Sequence, residues 1–393
     1  MIVTTVAFIV LAIWAYLLLG RGWFWRCAER EDGVDCSRAE ARFRGAPGTW
    51  PGVVAVMPAR DEAAVIGDSL ASLLRQDYPG PFSVVIVDDQ SSDATASTAV
   101  ATADALSAGD RIDIAAGTRL PTGWTGKVWA MRQGLAAIEA SANPPPFVLF
   151  TDADIVYAPG ILRRLVAIAL SKESVLTSLM VKLRCDSAAE RWLVPAFVFF
   201  FQKLYPFAWV NDPRRSTAAA AGGCMLVRRS ALAAAGGLEA LQGALIDDCA
   251  LGALTKRQGP IWLGLTEGAR SLRAYPSFAA IRAMVTRSAF AELRYSSIRL
   301  LGTVVAMLFV YLAPPLLTVF ADGPAQGAGM MSWMLMTLSF VPTLRLYQAN
   351  PAMAPALPAV AAVYTAFTLD SAFQYWRGHG GYWKGRVQAP REA

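Results

Sequence analysis

Short apolar runs that lead directly into polar residues place the strongest constraint on how this chain can fold. Residues 53–57, 82–87 and 147–150 are almost wholly apolar, and residues 111–115 form a weaker run of the same kind. Such runs are typical of strands that are buried on both faces of a sheet. Segments with helical spacing separate them, which predicts an α/β fold with a mostly parallel, doubly wound sheet. The polar residues that follow the strands should therefore meet at one edge of that sheet.

One of these runs continues into Thr151-Asp152-Ala153-Asp154, which places two carboxylates one residue apart at the predicted edge. Hard oxygen ligands suit Mg²⁺ or Mn²⁺, and those cations in turn suit a diphosphate. The alternative is an acidic turn that merely ends a strand, since turns favour Asp. The other polar clusters of the chain decide between these interpretations.

The histidine and cysteine content narrows the chemistry. The only histidine is His379, which lies behind the last apolar segment, so the main domain has none for a catalytic triad or a metal site. The five cysteines show no C-x-x-C spacing, which argues against a disulfide framework or a zinc site and suits a reducing cytosol. Acid–base and metal chemistry should therefore fall chiefly to carboxylates.

The composition predicts a membrane protein, because 55% of the residues are hydrophobic and only 17% are charged. Residues 2–19 form an uncharged apolar run long enough for one crossing, and arginines follow it. The positive-inside rule then places the main domain in the cytoplasm. A cleaved signal peptide is the alternative, but no basic region precedes the run. Three further membrane candidates are residues 300–320, 331–346 and 354–373.

Two features of this organisation remain open. Residues 192–210 are very apolar but interrupted by Pro195, Lys203 and Pro206, which favours an interfacial or re-entrant helix over a clean crossing. A buried core helix is the alternative. One anchor and three crossings place the basic tail outside, whereas the charge rule places it in the cytoplasm. The predicted segments are an anchor (1–20), a linker (21–46), the main domain (47–295), a membrane region with two or three helices (296–375) and a polar tail (376–393).

The net charge of +6 fits attraction to an anionic leaflet or to phosphorylated substrates. Nucleic acid is not an expected partner, because the basic residues are dispersed and no recognisable module accompanies them.

Further polar clusters could bind a nucleotide. Asp88 and Asp89 follow the second run, where a carboxylate can accept hydrogen bonds from a uracil ring or a ribose hydroxyl. Glu62 and its neighbour Asp61 could contact the base, although Asp61 could equally cap a helix. Lys127, in a glycine-flanked loop, could meet phosphate oxygens, or it could be a solvated surface lysine.

A second acidic pair, Asp247-Asp248, stands among apolar neighbours at the start of a helical pattern. Helix capping explains one of these residues, but two adjacent carboxylates exceed what a cap requires. With no histidine in the domain, one of them is the best available general base. Taken together, the clusters predict transfer from a nucleotide-linked donor to a hydroxyl group.

In this order the motifs resemble those of the family-2 glycosyltransferases with a GT-A fold. The matching stretches are Pro58-Ala59-Arg60-Asp61-Glu62, Val87-Asp88-Asp89-Gln90-Ser91-Ser92-Asp93, Lys127, Thr151-Asp152-Ala153-Asp154 and Asp247-Asp248. The segment Gly123-Trp124-Thr125-Gly126-Lys127-Val128-Trp129-Ala130 and the membrane ends look most like the hopanoid-associated members. The chain is more distantly similar to ceramide glucosyltransferases.

The resemblance implies an inverting, metal-dependent transfer from a UDP-sugar. Asp152 and Asp154 would occupy the metal motif, with Asp154 favoured over Asp152 as the direct ligand. Asp248, beside Asp247, would be the catalytic base. The residues implied for the donor nucleotide and its diphosphate are Pro58, Arg60, Glu62, Asp88, Asp89, Lys127, Asp152 and Arg294.

One departure bears on the acceptor. Processive and ceramide-type members carry a Gln- or Arg-x-x-Arg-Trp motif, and the aligned stretch here is Ala291-Glu292-Leu293-Arg294-Tyr295. This difference disfavours a processive synthase, and transfer of a single sugar is expected instead. The membrane segments and residues 192–210 favour a lipid hydroxyl as the acceptor, because such a substrate is met at the bilayer surface, and a hopanoid polyol is implied by resemblance. The implied location is the bacterial inner membrane, as a multi-pass protein. The alternatives are transfer to polyprenyl phosphate or a ceramide-type lipid, and a non-catalytic scaffold that binds nucleotide.

Overall fold

The computed structural model describes residues 1–43, 50–384 and 386–387 of the chain. Two compact units are present. The sheet unit comprises Glu29–Arg184 and Trp209–Arg273, and the helical unit comprises Met1–Ala28, Cys185–Ala208 and the described part of Ala274–Ala393.

Ten strands occur in the described residues. In chain order they are β1 Val53–Ala59, β2 Phe82–Asp88, β3 Ile112–Ala116, β4 Phe147–Thr151, β5 Ile155–Tyr157, β6 Leu176–Lys182, β7 Cys224–Arg228, β8 Ile261–Ser271, β9 Tyr382–Trp383 and β10 Arg386–Val387.

The α-helices, again in chain order, are α1 Ile2–Leu19, α2 Ser37–Arg42, α3 Ile66–Leu74, α4 Thr95–Ala105, α5 Gly126–Glu139, α6 Ile161–Ser171, α7 Ala188–Leu204, α8 Phe207–Val210, α9 Arg229–Ala234, α10 Asp247–Thr255, α11 Phe278–Thr286, α12 Ala289–Glu292, α13 Ser297–Met307, α14 Ala313–Phe320, α15 Gly323–Leu346 and α16 Leu357–Trp376. A π-helical turn, Leu308–Leu312, joins α13 to α14. Short 3₁₀ turns are found at Phe24–Arg26, Glu31–Gly33, Gly109–Arg111, Leu238–Leu241 and Pro351–Ala356.

The sheet unit is built on eight strands in the order β3-β2-β1-β4-β7-β6-β8-β5. The pairs β1–β2, β1–β4, β2–β3 and β6–β8 are parallel. Strand β7 runs antiparallel to both β4 and β6, and β5 runs antiparallel to β8. The predicted mixed α/β fold with a mostly parallel sheet is confirmed, and β1, β2 and β4 begin at the residues where the apolar runs begin.

Both faces of the sheet are covered, as the apolar runs predicted. Successive side chains of a strand point to opposite faces. Val53, Ala55 and Met57 of β1 pack in the core that includes residues of α3, α4 and α6. Val56 faces the other way, where Gly134 of α5 lies so close that a side chain there would overlap it. Helices on both faces explain why these strands carry no polar alternation.

The segment predicted as a linker, residues 21–46, belongs partly to the sheet unit. The backbone N–H of Leu265 in β8 donates to the Glu29 carbonyl at 2.8 Å, and Arg30 forms a bridge with Leu265. The guanidinium of Arg164 donates to the Glu31 carbonyl. The predicted boundary at residues 46 and 47 lies outside the described residues, as does residue 391 of the basic tail.

The units divide the chain differently from the predicted domain of residues 47–295. Residues 185–208 and 274–295 belong to the helical unit rather than to the sheet unit. The sequence pattern carries no signal for this division, because the apolar core of a helical unit and a membrane-facing surface have the same composition. The predicted domain bounds stay a prediction.

The apolar stretch at residues 192–210 forms α7 and α8, with Pro206 between them. Helix α7 starts four residues earlier than that stretch because Ser187 and Glu190 form a capping box. Leu193, Ala196 and Phe199 are buried in the core of the helical unit, whereas Trp192 is exposed. One buried face fits the core-helix alternative; the interfacial interpretation stays a prediction.

Four helical segments are long and apolar enough to cross a membrane, judged by length and composition within the described residues: Ile2–Leu19, Ala188–Val210, Ser297–Phe320 and Pro351–Trp376. The predicted candidate at residues 331–346 is the second part of α15, which is not among the four. Its first turns carry Gln326 and several glycines, which lower its apolar character.

The close approach of α5 to the sheet gives a test of the packing. A methyl group on Gly134 would lie 2.5 Å from Val56 Cγ1 and 3.1 Å from Val87 Cγ2. Alanine is the better helix former by roughly 1 kcal/mol, but overpacking a buried contact costs about 1–3 kcal/mol, so Gly134→Ala should lower the melting temperature. The matched control is Gly302→Ala, at a glycine inside α13 whose added methyl group meets no non-neighbouring described atom within 4 Å. Equal melting temperatures for the two variants would contradict this packing.

Candidate active site

The carboxyl ends of β1, β2 and β4 lie side by side because these parallel strands are neighbours in the sheet. Asp88 is the last residue of β2, and Asp152 follows β4 directly. Residues 60–62 follow β1, and Pro58 lies within it. The edge therefore gathers the polar clusters after these three strands, as the alternation of strands and helices predicted.

Asp61 ties the loop after β1 to the loop after β2. Its Oδ1 atom accepts from the backbone N–H of Ser92 at 2.7 Å, and its own N–H donates to Ser91 Oγ at 3.0 Å. The hydrogen bond from the Ser92 N–H holds the pKa of Asp61 below its usual value. Asp61 also has a positive φ of 51°, which is uncommon for a non-glycine residue. In this structure Asp61 joins the loop after β1 to the loop after β2 and does not cap a helix.

Asp88 and Asp89 differ in their surroundings. Asp88 Oδ1 accepts from the backbone N–H of Ser91 at 3.0 Å, as in a tight turn. Asp89 is only 2% exposed, and Arg60 Nη1 donates to its carbonyl at 2.6 Å while lying 3.9 Å from its carboxylate. A buried carboxylate beside a guanidinium requires a specific reason, since burial of charge is unfavourable.

The two carboxylates of the Asp-X-Asp motif also differ. Asp154 is 6% exposed, and its Oδ2 atom accepts from Ser271 Oγ at 2.7 Å and from Arg273 Nε at 3.3 Å. Burial, with a contribution from Asp152, raises the pKa of Asp154 despite Arg273. The side chain of Asp152 is about one third exposed. Arg273 also donates to Glu62 Oε1 at 2.6 Å and so links the loop after β1 to Asp154.

Lys127, the second residue of α5, lies between acidic side chains from two other elements. Its Nζ atom is 2.7 Å from Asp152 Oδ1 and 3.5 Å from Asp247 Oδ2. Burial alone lowers the pKa of an ammonium group, but these carboxylates outweigh it and hold the pKa of Lys127 above its usual value. The structure therefore does not support a solvated surface lysine, and the expected phosphate contact stays a prediction.

Asp248 lies in the first turn of α10 and is held by backbone groups. Its Oδ2 atom accepts from the N–H of Gly222 at 2.9 Å, and its Oδ1 atom accepts from the N–H of Cys249 at 2.7 Å. Burial, together with the neighbouring Asp247 carboxylate, raises the pKa of Asp248 to about 6, against the opposing effect of Lys127. This pKa allows Asp248 to accept a proton near neutral pH.

The Oδ2 atom of Asp247 is held by the positive charge of Lys127 and not by a hydrogen bond with any described residue. Its side chain is 14% exposed, and Oδ2 has no hydrogen-bond partner in the described part of the chain, although it lies 3.5 Å from Lys127. Lys127 therefore links the acidic pair Asp247-Asp248 to the Asp-X-Asp motif, because it contacts both Asp247 and Asp152.

Two further residues at this edge were not foreseen in the sequence. Ser271 and Arg273 contact Asp154, and they stand at and just beyond the end of β8. The rule that found the other clusters, a polar group directly after a strand, applies to Ser271-Leu272-Arg273 as well. Arg294, in contrast, belongs to the helical unit, so its contact with a diphosphate stays a prediction.

The residues present fit a divalent cation. Within the described ranges, no group of three or more His, Cys, Asp or Glu side chains is arranged around a single point. Asp152 and Asp154 would therefore supply only part of a coordination sphere. Mg²⁺ is commonly held in that way, by one or two carboxylates together with substrate phosphates and water.

A mostly parallel sheet with an acidic edge of this kind defines an α/β protein with a GT-A-like fold. The chain matches the family described as "Glycosyltransferase like family 2" over residues 51–263, just over half of its length, and it belongs to that family.

The proteins that are similar to the chain include one curated relative and one solved structure of particular interest. An N-acetylglucosaminyltransferase of Mesorhizobium japonicum is 31% identical over 193 residues, which are 47% of this chain and 41% of that relative. The match thus spans less than half of the curated relative. The mannosyltransferase PcManGT of Pyrobaculum calidifontis, solved in complex with GDP-Man and Mn²⁺, aligns with 95% of this chain and 99% of its own. The TM-score is 0.52 at 17% identity, so this likeness is one of fold.

Gly222 allows the acidic pair and the lysine to approach each other, and this generates a prediction. A methyl group on Gly222 would lie 3.1 Å from Lys127 Nζ and 3.3 Å from Asp248 Oδ2. Gly222→Ala should displace one of these groups and lower glycosyl transfer from a nucleotide-sugar by about tenfold, equivalent to roughly 1.4 kcal/mol. The rate of nucleoside diphosphate release measures this.

The matched control for that variant is Gly33→Ala, where an added methyl group meets no non-neighbouring described atom within 4 Å. Thermal unfolding of both variants should stay close to that of the parent chain. Full activity in Gly222→Ala would show that the contact of Gly222 with these two groups has no functional importance.

Proposed function

We propose that the protein is a membrane-bound, inverting glycosyltransferase that moves one sugar from a UDP-sugar onto the hydroxyl group of a lipid. The observation that carries the proposal is the joining of two acidic pairs through Lys127. This arrangement sets a candidate base, Asp248, beside a candidate metal motif, Asp152 and Asp154. Transfer from a nucleotide-sugar to a hydroxyl needs both.

In the proposed reaction Asp248 removes the proton from the acceptor hydroxyl as its oxygen attacks the anomeric carbon. The new C–O bond forms on the face opposite the diphosphate, whose bond to that carbon breaks, so UDP leaves and the configuration inverts. The two N–H groups that bind Asp248 fix the direction of its carboxylate before the acceptor arrives. The pKa of about 6 keeps Asp248 ionised at neutral pH while leaving it basic enough to act.

Asp154 and Asp152 are the proposed ligands for Mg²⁺ or Mn²⁺. When bound, such a cation neutralises charge that develops on the departing diphosphate. Ser271 holds Asp154 in a single orientation, and Lys127 does the same for Asp152. The solved complex of PcManGT with GDP-Man and Mn²⁺ is consistent with a divalent metal in a protein of this fold.

The loops after β1 and β2 are the proposed site of the uridine. Asp89, with Arg60 beside it, is buried and suits recognition of a base or ribose group. Glu62 lies at the same edge, and Pro58 fixes the backbone where β1 ends. Asp88 is the weaker candidate, because its carboxylate already accepts from a turn N–H.

The acceptor is proposed to be a lipid because four helical segments are long and apolar enough to cross a membrane. A lipid hydroxyl must be met at a bilayer surface, which a membrane-bound enzyme reaches directly. A hopanoid polyol is the leading candidate, on the resemblance of the motif around Trp124 and Lys127. We place the sheet unit on the cytoplasmic side, since arginines follow the first apolar helix and nucleotide-sugars are cytosolic.

Asp248 distinguishes the proposal from its main rival, transfer to polyprenyl phosphate. A hydroxyl acceptor needs a general base, so Asp248→Asn should lower transfer to lipid hydroxyls by about 10²–10⁴-fold. A phosphate acceptor is already ionised and needs no base, so the rate of transfer to polyprenyl phosphate should change little in Asp248→Asn. Radiolabelled UDP-sugars, Mn²⁺ and a panel of hopanoid, ceramide and polyprenyl-phosphate acceptors provide the measurement.

The control in this experiment is Asp104→Asn, which neutralises an exposed carboxylate on α4. Full hydroxyl transfer by Asp248→Asn would refute the base assignment. Absence of metal-dependent UDP release from the parent chain, despite UDP binding, would support a non-catalytic nucleotide-binding scaffold instead.

The pKa of Asp248 also predicts the pH dependence of transfer. Because the base acts only when ionised, the rate should fall about tenfold for each pH unit below about 6 and level off above it. Lys127 lowers the pKa of Asp248, so Lys127→Met should move this acidic limb to higher pH, whatever its effect on the plateau. Rates measured from pH 4.5 to 8.5 test both statements; an unmoved limb in Lys127→Met would contradict the second.

A further inference from the structure

Arg273 bridges two carboxylates that belong to different parts of the proposed donor site. Its Nη2 atom donates to Glu62 Oε1 at 2.6 Å, and its Nε atom donates to Asp154 Oδ2 at 3.3 Å. Glu62 comes from the loop after β1, and Asp154 precedes β5. A single guanidinium therefore joins a residue proposed to bind uridine to one proposed to bind metal.

The position of Arg273 is fixed by the backbone of its own segment. Strand β8 pairs with β5, which sets Ser271 opposite Ile155. The N–H of Leu272 then donates to the Asp154 carbonyl at 2.8 Å, and the N–H of Arg273 donates to Ser271 Oγ at 3.2 Å. These two hydrogen bonds fix the backbone from which the Arg273 guanidinium extends to Asp154.

Burial explains why a cation is needed there. The side chains of Asp154 and Glu62 are 8% and 11% exposed, and a buried carboxylate is unfavourable without a compensating charge. Ser271 contributes a hydrogen bond but no charge. The contact of Arg273 with Glu62 is shorter than its contact with Asp154, so Glu62 is the stronger anchor of these two carboxylates.

We propose that Arg273 is a positioning residue that acts as the counter-charge of Asp154 until a divalent cation binds, and that Glu62 retains it afterwards. The inference rests on the proposed function, because it takes Asp154 as a metal ligand. Its consequence is that metal and Arg273 compete for one carboxylate. This competition weakens metal binding to the nucleotide-free protein. The affinity for metal also depends on Glu62, because Glu62 draws Arg273 away from Asp154.

The test measures Mn²⁺ binding without nucleotide, using the signal of free Mn²⁺ in electron paramagnetic resonance and the full chain in lipid nanodiscs. Arg273→Gln removes the competing charge and should tighten Mn²⁺ binding about tenfold. Arg273→Lys keeps the charge and should stay close to the parent. The matched control is Arg270→Gln, which removes an exposed arginine of β8, the strand that ends two residues before Arg273. It should change little, because exposed charges are screened.

A second variant guards against misfolding of Arg273→Gln. Glu62→Gln removes the carboxylate that is the stronger anchor of Arg273, so Arg273 should interact more strongly with Asp154. Mn²⁺ binding should therefore weaken about threefold. Mn²⁺ binding that is unchanged, weaker or undetectable in Arg273→Gln overturns the inference, as does tighter binding in Glu62→Gln.

Failure of the proposed function is recognised separately. Asp154→Asn should abolish Mn²⁺ binding in the parent and Arg273→Gln backgrounds. If Asp154→Asn leaves Mn²⁺ binding intact, the metal site itself is wrong. If it abolishes binding while Arg273→Gln fails to tighten it, only the role of Arg273 is wrong.

Discussion

The ion pairs of Lys127 are the interaction on which the candidate site depends. This lysine comes from α5, whereas Asp152 follows β4 and Asp247 begins α10, so one ammonium joins three elements distant in sequence. Near a protein surface, a pair of charges 4 Å apart attracts by about 4 kcal/mol before the cost of desolvating both groups, and a whole domain is stable by only about 5–15 kcal/mol. Gly222 makes the arrangement sterically feasible, because a side chain at that position would press on both Lys127 and Asp248. Without the lysine, the acidic pairs would repel each other across the same edge.

The carboxylates at this edge of the sheet outnumber the cationic side chains that contact them, and this excess of negative charge bears on metal binding. Lys127 and Arg273 each contact two carboxylates, while Asp248 relies on backbone N–H groups. The acidic side chains thus outnumber the basic ones that contact them, and both Asp154 and Asp248 respond with raised pKa values. A divalent cation would relieve this excess, which supports metal binding by an argument independent of the Asp-X-Asp spacing.

Much of the fold could be predicted because its signals are local. The buried runs of β1, β2 and β4 are visible in the sequence, and their alternation with helices forces the polar residues after them to one edge. The partners of the site residues could not be read in this way. Ser271 and Arg273 reach Asp154 only because β8 pairs antiparallel with β5, a register that no short stretch of sequence specifies. The start of α15 was missed for a different reason, since its first turns are too rich in glycine to resemble an apolar helix.

The structure also separates the two members of the acidic pair, which only the family resemblance had distinguished in the sequence. Adjacent carboxylates disfavour each other's ionisation, and the one with the weaker compensation becomes the better proton acceptor. Asp247 lies 3.5 Å from the Lys127 ammonium, whereas Asp248 is buried and held by two neutral N–H donors. The charge of Asp247 is one cause of the raised pKa of Asp248. In the proposed reaction Asp248 is therefore the proton acceptor, and the charge of Asp247 raises its pKa.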